Sequence, residues 1–134
     1  MENKILFGKG EPNPFGKYFI GQSYLKMLTT ELGVGVANVT FEPGCRNNWH
    51  IHKATKGGGQ ILMVTEGEGW YQEEGKEPQK LKVGDIVNIK TGVKHWHGAA
   101  ANSEFTHIAI EVPGENSGTE WLESVTDEDY NKLK

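Results

Sequence analysis

Five histidines carry the chemical interest of this sequence. Four sit in two His-x-His pairs, Trp49-His50-Ile51-His52 and Lys94-His95-Trp96-His97, and the fifth, His107, lies in the strand-like run that follows. In extended backbone, residues i and i+2 project from one face, so each pair aims two imidazoles at one side of its sheet. By the same parity Gln60, Leu62 and Val64 share a face of their strand, as do His107, Ala109 and Glu111 of theirs. In a small barrel the inward faces of all strands meet. Neutral imidazole nitrogen is a common ligand of first-row metals. Uncoordinated histidines in an interior would instead need a partner for every ring nitrogen. One histidine meets that demand easily; four or five together point to a metal ion.

Positioning five imidazoles this way asks for many short strands. The 134 residues form one domain, 1–134, long enough for a real core. Eighteen Gly, five Pro and 36% hydrophobic residues favour strands and turns over a helical bundle. Residues 1–16 hold Gly8, Gly10, Pro12, Pro14 and Gly16 and read as an irregular N-terminal arm. Short aromatic-rich strands are expected at 17–21 and 24–29, either pairing with a second subunit or wrapping their own barrel. Further strands are expected at 35–41, 47–52, 60–66, 70–72, 80–83, 86–89, 95–100 and 105–112. They are separated by turn signals such as Glu42-Pro43-Gly44, Gly84-Asp85 and Thr91-Gly92, and by a flexible glycine-rich loop at 53–59. The barrel core therefore runs over about 35–112. Period changes only in the tail, 119–134, where 119–122 reads as a short turn and 126–133 as a terminal helix. Thr126 is its N-cap, and Asp127-Glu128-Asp129 complement the helix dipole. The class is all-β, a barrel or jelly roll with a short C-terminal helix.

Charge and cysteine usage narrow the partners. Fourteen Lys and Arg against eighteen Asp and Glu give a formal net charge of −4, with no basic cluster. That excludes nucleic acid and an anionic membrane as partners. The single Cys45 cannot form an internal disulfide and reads as an ordinary buried thiol. No run approaches the ~20 apolar residues of a membrane span, and no signal peptide is apparent, so a soluble cytoplasmic protein is expected.

Gly44-x5-His50-x-His52 followed by Gln60-x6-Gly67, and Gly84-x5-Lys90-x-Gly92-x2-His95, resemble the two motifs of the cupin superfamily. The resemblance covers about 35–112 and implies a double-stranded β-helix jelly roll, the cupin barrel. It departs from the common pattern in having Gln60 for glutamate, Lys90 for proline, Ala99 for asparagine and a longer loop before Gln60. Val39-Thr40-Phe41-Glu42-Pro43-Gly44, Lys94-His95-Trp96-His97-Gly98-Ala99 and Thr106-His107-x-Ala109-Ile110 resemble a narrower group of small bacterial cupins. So does the tail Glu120-Trp121-x3-Val125-Thr126-Asp127-Glu128. That group is called hydroxynitrile-lyase-like or carboxymuconolactone-decarboxylase-associated.

The resemblance implies one divalent transition metal per chain held by His50, His52, Gln60 and His95, with manganese first and iron, zinc, nickel or cobalt as alternatives. It implies that His97 and His107 line the substrate cavity as catalytic residues, and that the protein is a homodimer. Three imidazoles and an amide leave the ion's double charge uncompensated, which favours Lewis acidity. Two further histidines can move a proton beside the polarised oxygen. The expected function is a lyase on a small-molecule substrate. It makes or breaks a carbon–carbon bond next to that oxygen, as in a cyanohydrin yielding a carbonyl and cyanide. An iron-dependent dioxygenase and a non-catalytic small-molecule-binding cupin are the alternatives.

Other residues have plainer readings. Glu66 reads as a solvated strand end, while Glu111 is either an acidic ligand or a partner for a histidine. Trp49 and Trp96 face away from the ligands, between sheets or at a subunit interface. Trp70 and Trp121 belong to the core or dock the tail, and Glu73-Glu74-Gly75-Lys76-Glu77 is a solvated hairpin.

Overall fold

A computed structural model describes residues 5–133. Residues 1–4 of the expected arm and Lys134 of the expected tail lie outside the described residues. The chain runs β1 (Glu11–Pro12), a 3₁₀ turn at Gly16–Tyr18, β2 (Phe19–Ile20), β3 (Ser23–Thr29), β4 (Gly35–Phe41), β5 (Arg46–Asn47) and β6 (His50–Lys53). It continues through β7 (Lys56–Gly57), β8 (Gln60–Gly67), β9 (Gly69–Glu73), β10 (Gln79–Leu81), β11 (Ile86–Ile89) and β12 (His95–Ala99). β13 (Phe105–Glu111), β14 (Gly114–Glu115), β15 (Gly118–Trp121) and α1 (Asp127–Tyr130) complete it.

The strands form the two antiparallel sheets of a jelly roll. One has the order β1-β3-β4-β13-β8-β11; the other has β10-β9-β12-β5-β2, with β6 joining β12 to β15. Inward residues of both sheets, among them Phe41, Leu62, Tyr71, Leu81, Val87 and Phe105, bury a single apolar core. The alternation predicted from the sequence is visible along β8, where Gln60, Leu62 and Val64 are buried and Ile61 and Met63 are not. Gly98 is needed where β12 crosses β5, since a Cβ there would lie 2.5 Å from the Arg46 Cβ.

Several local expectations are corrected. The strand expected over 17–21 shrinks to β2, since Lys17 and Tyr18 belong to the 3₁₀ turn, and β3 pairs along its length with β4 of its own barrel. The strand expected over 47–52 is broken into β5 and β6, because Asn48 and Trp49 bond instead to Tyr18, Leu122 and Glu123. The loop 53–59 contains β7, paired with β14. Residues 119–122 are not a turn: β15 pairs with β6, setting Thr119 opposite His52 and Trp121 opposite His50. The terminal helix is a single turn, capped by the Thr126 hydroxyl accepting from the Asp129 N–H at 3.2 Å.

That tail forms a second core on the outside of the second sheet. Trp96 packs there with Trp70, Ala100, Val125 and Tyr130, and Trp49 rests against them. Trp96 is thus covered by the tail rather than held between the sheets. Arg46 fastens the tail, since its guanidinium donates to the Val125 carbonyl at 2.8 Å and to Asp127 at 2.6 Å and lies over the Tyr130 ring. Among the described residues no helix is long and apolar enough to cross a membrane.

Candidate metal centre

All five histidines are buried. β6 and β12 lie side by side with His50 directly opposite His95, and strand parity turns His52 and His97 to the same interior face. Ring centroids are 4.1 Å apart for His50 and His95, 5.2 Å for His50 and His52, and 5.1 Å for His52 and His95. One nitrogen from each of these three lies within 4.8 Å of the other two.

Hydrogen bonds behind the rings set their tautomers. Nδ1 of His50 is 2.8 Å from the Asn48 carbonyl, and Nδ1 of His95 is 2.9 Å from the Val93 carbonyl. A carbonyl only accepts, so both Nδ1 atoms carry the proton and both Nε2 lone pairs face the interior. His52 is backed more loosely, with the Thr119 hydroxyl 3.4 Å from its Nδ1.

Gln60 joins the cluster from β8. The chain enters that strand through Gly57, Gly58 and Gly59, all left-handed at φ +67°, +82° and +105°. A Cβ on Gly59 would stand 2.7 Å from the Ile89 carbonyl oxygen, so the entry needs glycine. The Gln60 Nε2 donates to Glu111 Oε1 at 3.1 Å. Its Oε1 is buried without a partner among the described residues, as are Nε2 of His52 and Nε2 of His95. Buried polar atoms are rarely left so. Three orphaned acceptors on one face, all neutral N or O donors, are what a divalent ion satisfies. The cluster is a candidate divalent metal site.

His97 and His107 lie beside it. His97 is 5.7 Å from His50 and 6.0 Å from His95, ring to ring. The His107 Nε2 is 3.3 Å from the His97 Nδ1. Asn47 holds His97 on the other side: its Oδ1 accepts the His97 backbone N–H at 2.9 Å, which turns Nδ2 to the ring, 3.2 Å from Nε2 and 3.5 Å from Nδ1. An amide N–H only donates, so the nearer Nε2 is the acceptor and Nδ1 is left to donate to His107.

These groups face a cavity of about 460 Å³. Its polar wall includes His50, His52, His97 and His107 with Asn47, Gln60 and Glu111; its apolar wall includes Phe15, Phe19, Phe41, Leu25, Val39 and Trp121. Burial pushes all five imidazoles down, His95 and His107 to about 4 and His50 and His97 well below the usual value. The neighbouring rings add to this for His50 and His97. Every ring is therefore neutral at pH 7, the state that both coordination and proton acceptance require.

A cupin-domain family model matches residues 37–111, which hold both histidine pairs, Gln60 and His107. The chain belongs to the cupin family. This cupin is 46% identical over 99 residues to an (R)-mandelonitrile lyase of Granulicella tundricola, spanning 74% of this chain and 72% of that protein. A crystal structure of a cupin-like protein from Thermotoga maritima superposes with a TM-score of 0.82 at 43% identity, covering 96% of each chain. A predicted oxalate decarboxylase of the same organism shares the fold, with a TM-score of 0.66 at 20% identity over 76% of this cupin and 90% of that chain.

Not every residue singled out in the sequence reaches the site. Glu66 is half-buried near Glu104, away from the cavity. Glu111 lines the cavity but meets Gln60 rather than a histidine. Cys45 is fully buried, and desolvation pushes its thiol up to about 12. Trp121 does more than dock the tail: its ring lies 4.7 Å from His50 and stacks on Tyr18 at 4.6 Å. Sequence reasoning missed Asn47, Phe41 and Thr119 as neighbours of the histidines. Only the cross-strand pairing of β5, β4 and β15 reveals them.

Proposed function

We propose that this cupin is a metal-dependent lyase that cleaves and forms hydroxynitriles, with His50, His52, Gln60 and His95 holding the ion and His97 and His107 moving the proton. The observation that carries the reading is the juxtaposition of two sets in one cavity. Orphaned Nε2 and Oε1 atoms stand on one side of it, and a hydrogen-bonded neutral histidine pair stands beside them. The relative named as an (R)-mandelonitrile lyase supports the choice of substrate class. Manganese is the proposed ion, because the amide oxygen suits a harder first-row metal, while the three imidazoles also admit iron, zinc, nickel or cobalt.

When bound, the ion supplies Lewis acidity toward a substrate oxygen. The chain's own residues do the rest. Cleavage removes the hydroxyl proton, turns the carbinol into a carbonyl and expels cyanide with the electron pair of the broken carbon–carbon bond. Cyanide then takes up a proton, so atoms and charge balance without an oxidant. Nε2 of His97 exchanges its hydrogen bond from Asn47 Nδ2 for the hydroxyl proton, and its Nδ1–H then donates more strongly to Nε2 of His107 3.3 Å away, which shares the charge. Asn47 keeps His97 in the tautomer this requires. Phe15, Phe19 and Trp121 offer apolar faces to an aryl group and exclude water from it.

The test combines elemental analysis with an assay under nitrogen. Wild type should carry about one transition-metal ion per chain, lost in His95→Ala, and should release benzaldehyde from (R)-mandelonitrile without dioxygen. His107→Ala should keep the metal and lose most of the turnover. A metal-loaded protein that yields no carbonyl product from aryl or alkyl hydroxynitriles would overturn the lyase reading, and dioxygen uptake would replace it with the oxygenase.

A further inference from the structure

We infer that Glu111 is a positioning residue of the metal centre: it fixes the Gln60 amide so that the carbonyl oxygen, not the NH2, faces the imidazoles. The inference rests on the proposed reading of Gln60 as a ligand and extends it.

The pairing of β13 with β8 sets Glu111 directly opposite Gln60. Opposed residues in an antiparallel pair present their side chains to the same face. The Gln60 Nε2 donates to Glu111 Oε1 at 3.1 Å, while Oε1 of Gln60 is buried and unpartnered among the described residues. An amide can otherwise turn over, exchanging an acceptor for two donors at the same place. A carboxylate only accepts, so it admits one of the two orientations. With the NH2 turned inward, Gln60 would oppose the Nε2 lone pairs with hydrogens and could not ligate.

Glu111 stays outside the cluster. Among the described residues the group of side chains close enough to share an ion is His50, His52 and His95, with no carboxylate in it. The division leaves a neutral amide inside and a negative charge behind it. Hydrogen-bonded partners of this kind hold metal ligands in place and raise their affinity. Pairing with Ile89 on one side and Glu111 on the other fixes the Gln60 backbone, so the side-chain torsions are what remain for Glu111 to set.

The test measures Mn(II) dissociation constants from the electron paramagnetic resonance signal of free aqueous Mn(II), on wild type, E111Q, E111L, Q60A and the double variant Q60A/E111L. Thermal melts of the metal-free proteins check folding. E111L should bind about 10- to 100-fold more weakly. E111Q, which can still accept from Gln60, should lose clearly less. In the Q60A background E111L should cause no further loss, because Glu111 would have nothing left to orient. Equal losses in both backgrounds would overturn the inference and make Glu111 a long-range charge effect. Unchanged Mn(II) affinity in E111L, with wild type binding metal and turning over hydroxynitrile, would sink the inference and leave the lyase reading standing. Wild type binding no first-row ion would remove both. If E111L does not fold, E111Q decides: affinity equal to that of Q60A would overturn the proposal.

Discussion

Strands β8, β12 and β13 each run the length of the barrel interior, and their inward residues change character along the way. Toward one end they contribute Val64, Ala99 and Phe105, which pack with Phe41, Leu81 and Val87 into an apolar core without exposed surface at its centre. Toward the other they contribute Gln60 and Glu111, which line an open cavity, and the fully buried His95. Phe41 marks the boundary: its ring lies 5.8 Å from Phe105 on one side and 5.4 Å from His107 on the other. Four of the six buried orphaned polar atoms among the described residues belong to the histidine end. One end is thus arranged for folding stability. The other holds unsatisfied groups that destabilise the metal-free chain and become useful only when an ion occupies them.

The largest expected effect comes from the packed end. Leu81 is fully buried in that core and does not line the cavity. Leu81→Ala should lower unfolding free energy by about 2–5 kcal/mol, as burial is lost and a void remains. Urea denaturation of metal-free protein measures this, and metal stoichiometry of the folded fraction should be unchanged. Loss of metal in parallel with stability would show that the two ends are not separable.

The acid response should come from the other end. Folded His95 and His107 are held down to about 4, while unfolded histidine titrates near 6.5. As pH falls below about 6.5 the unfolded chain takes up protons that the folded chain refuses, so stability declines until the folded values are reached. Metal-free protein should therefore show a falling urea midpoint between pH 7 and pH 4.5, and loaded protein a steeper fall, since protons also compete for the ligand nitrogens. A midpoint flat across that window would mean that the histidine end is solvated rather than buried.

How much of this contrast could be read beforehand depended on the range of the interactions. The face shared by His50 and His52, and that shared by His95 and His97, follow from strand parity alone, and the structure brings all four rings together. Short strands between glycine turns led to a barrel or jelly roll, and the resemblance to cupins chose the jelly roll. What local pattern could not carry were pairings made far along the chain. Residues 119–122 looked like a turn because the strand period changes in the tail. They form β15 because the free edge of β6 requires a partner. Asn47 carried no signal either: its role beside His97 exists only through the meeting of β5 with β12. The terminal helix was overestimated because its acidic first turn and cap are real, while packing of Val125 and Tyr130 under Trp96, not helix length, holds the tail.

The smallest effect is also the most discriminating, because its sign differs from what burial alone predicts. His52 is 7% exposed, its Nε2 has no partner among the described residues, and its Nδ1 meets only the Thr119 hydroxyl at 3.4 Å. An unsatisfied buried acceptor is costly, and replacing it by an apolar group of similar size removes that cost. His52→Leu should therefore make the metal-free protein more stable by about 1 kcal/mol, in contrast to the loss expected of Leu81→Ala. The same substitution should abolish stoichiometric metal binding and remove the stabilisation that added Mn(II) gives wild type, an increment that grows with the logarithm of free ion. Melting curves with and without Mn(II) on the two proteins read both terms. If His52→Leu destabilises the metal-free chain, His52 packs as an ordinary core residue and the division between the two ends fails at this position. If it stabilises the metal-free protein and the response to Mn(II) disappears, the cost of holding that acceptor ready for an ion has been measured directly.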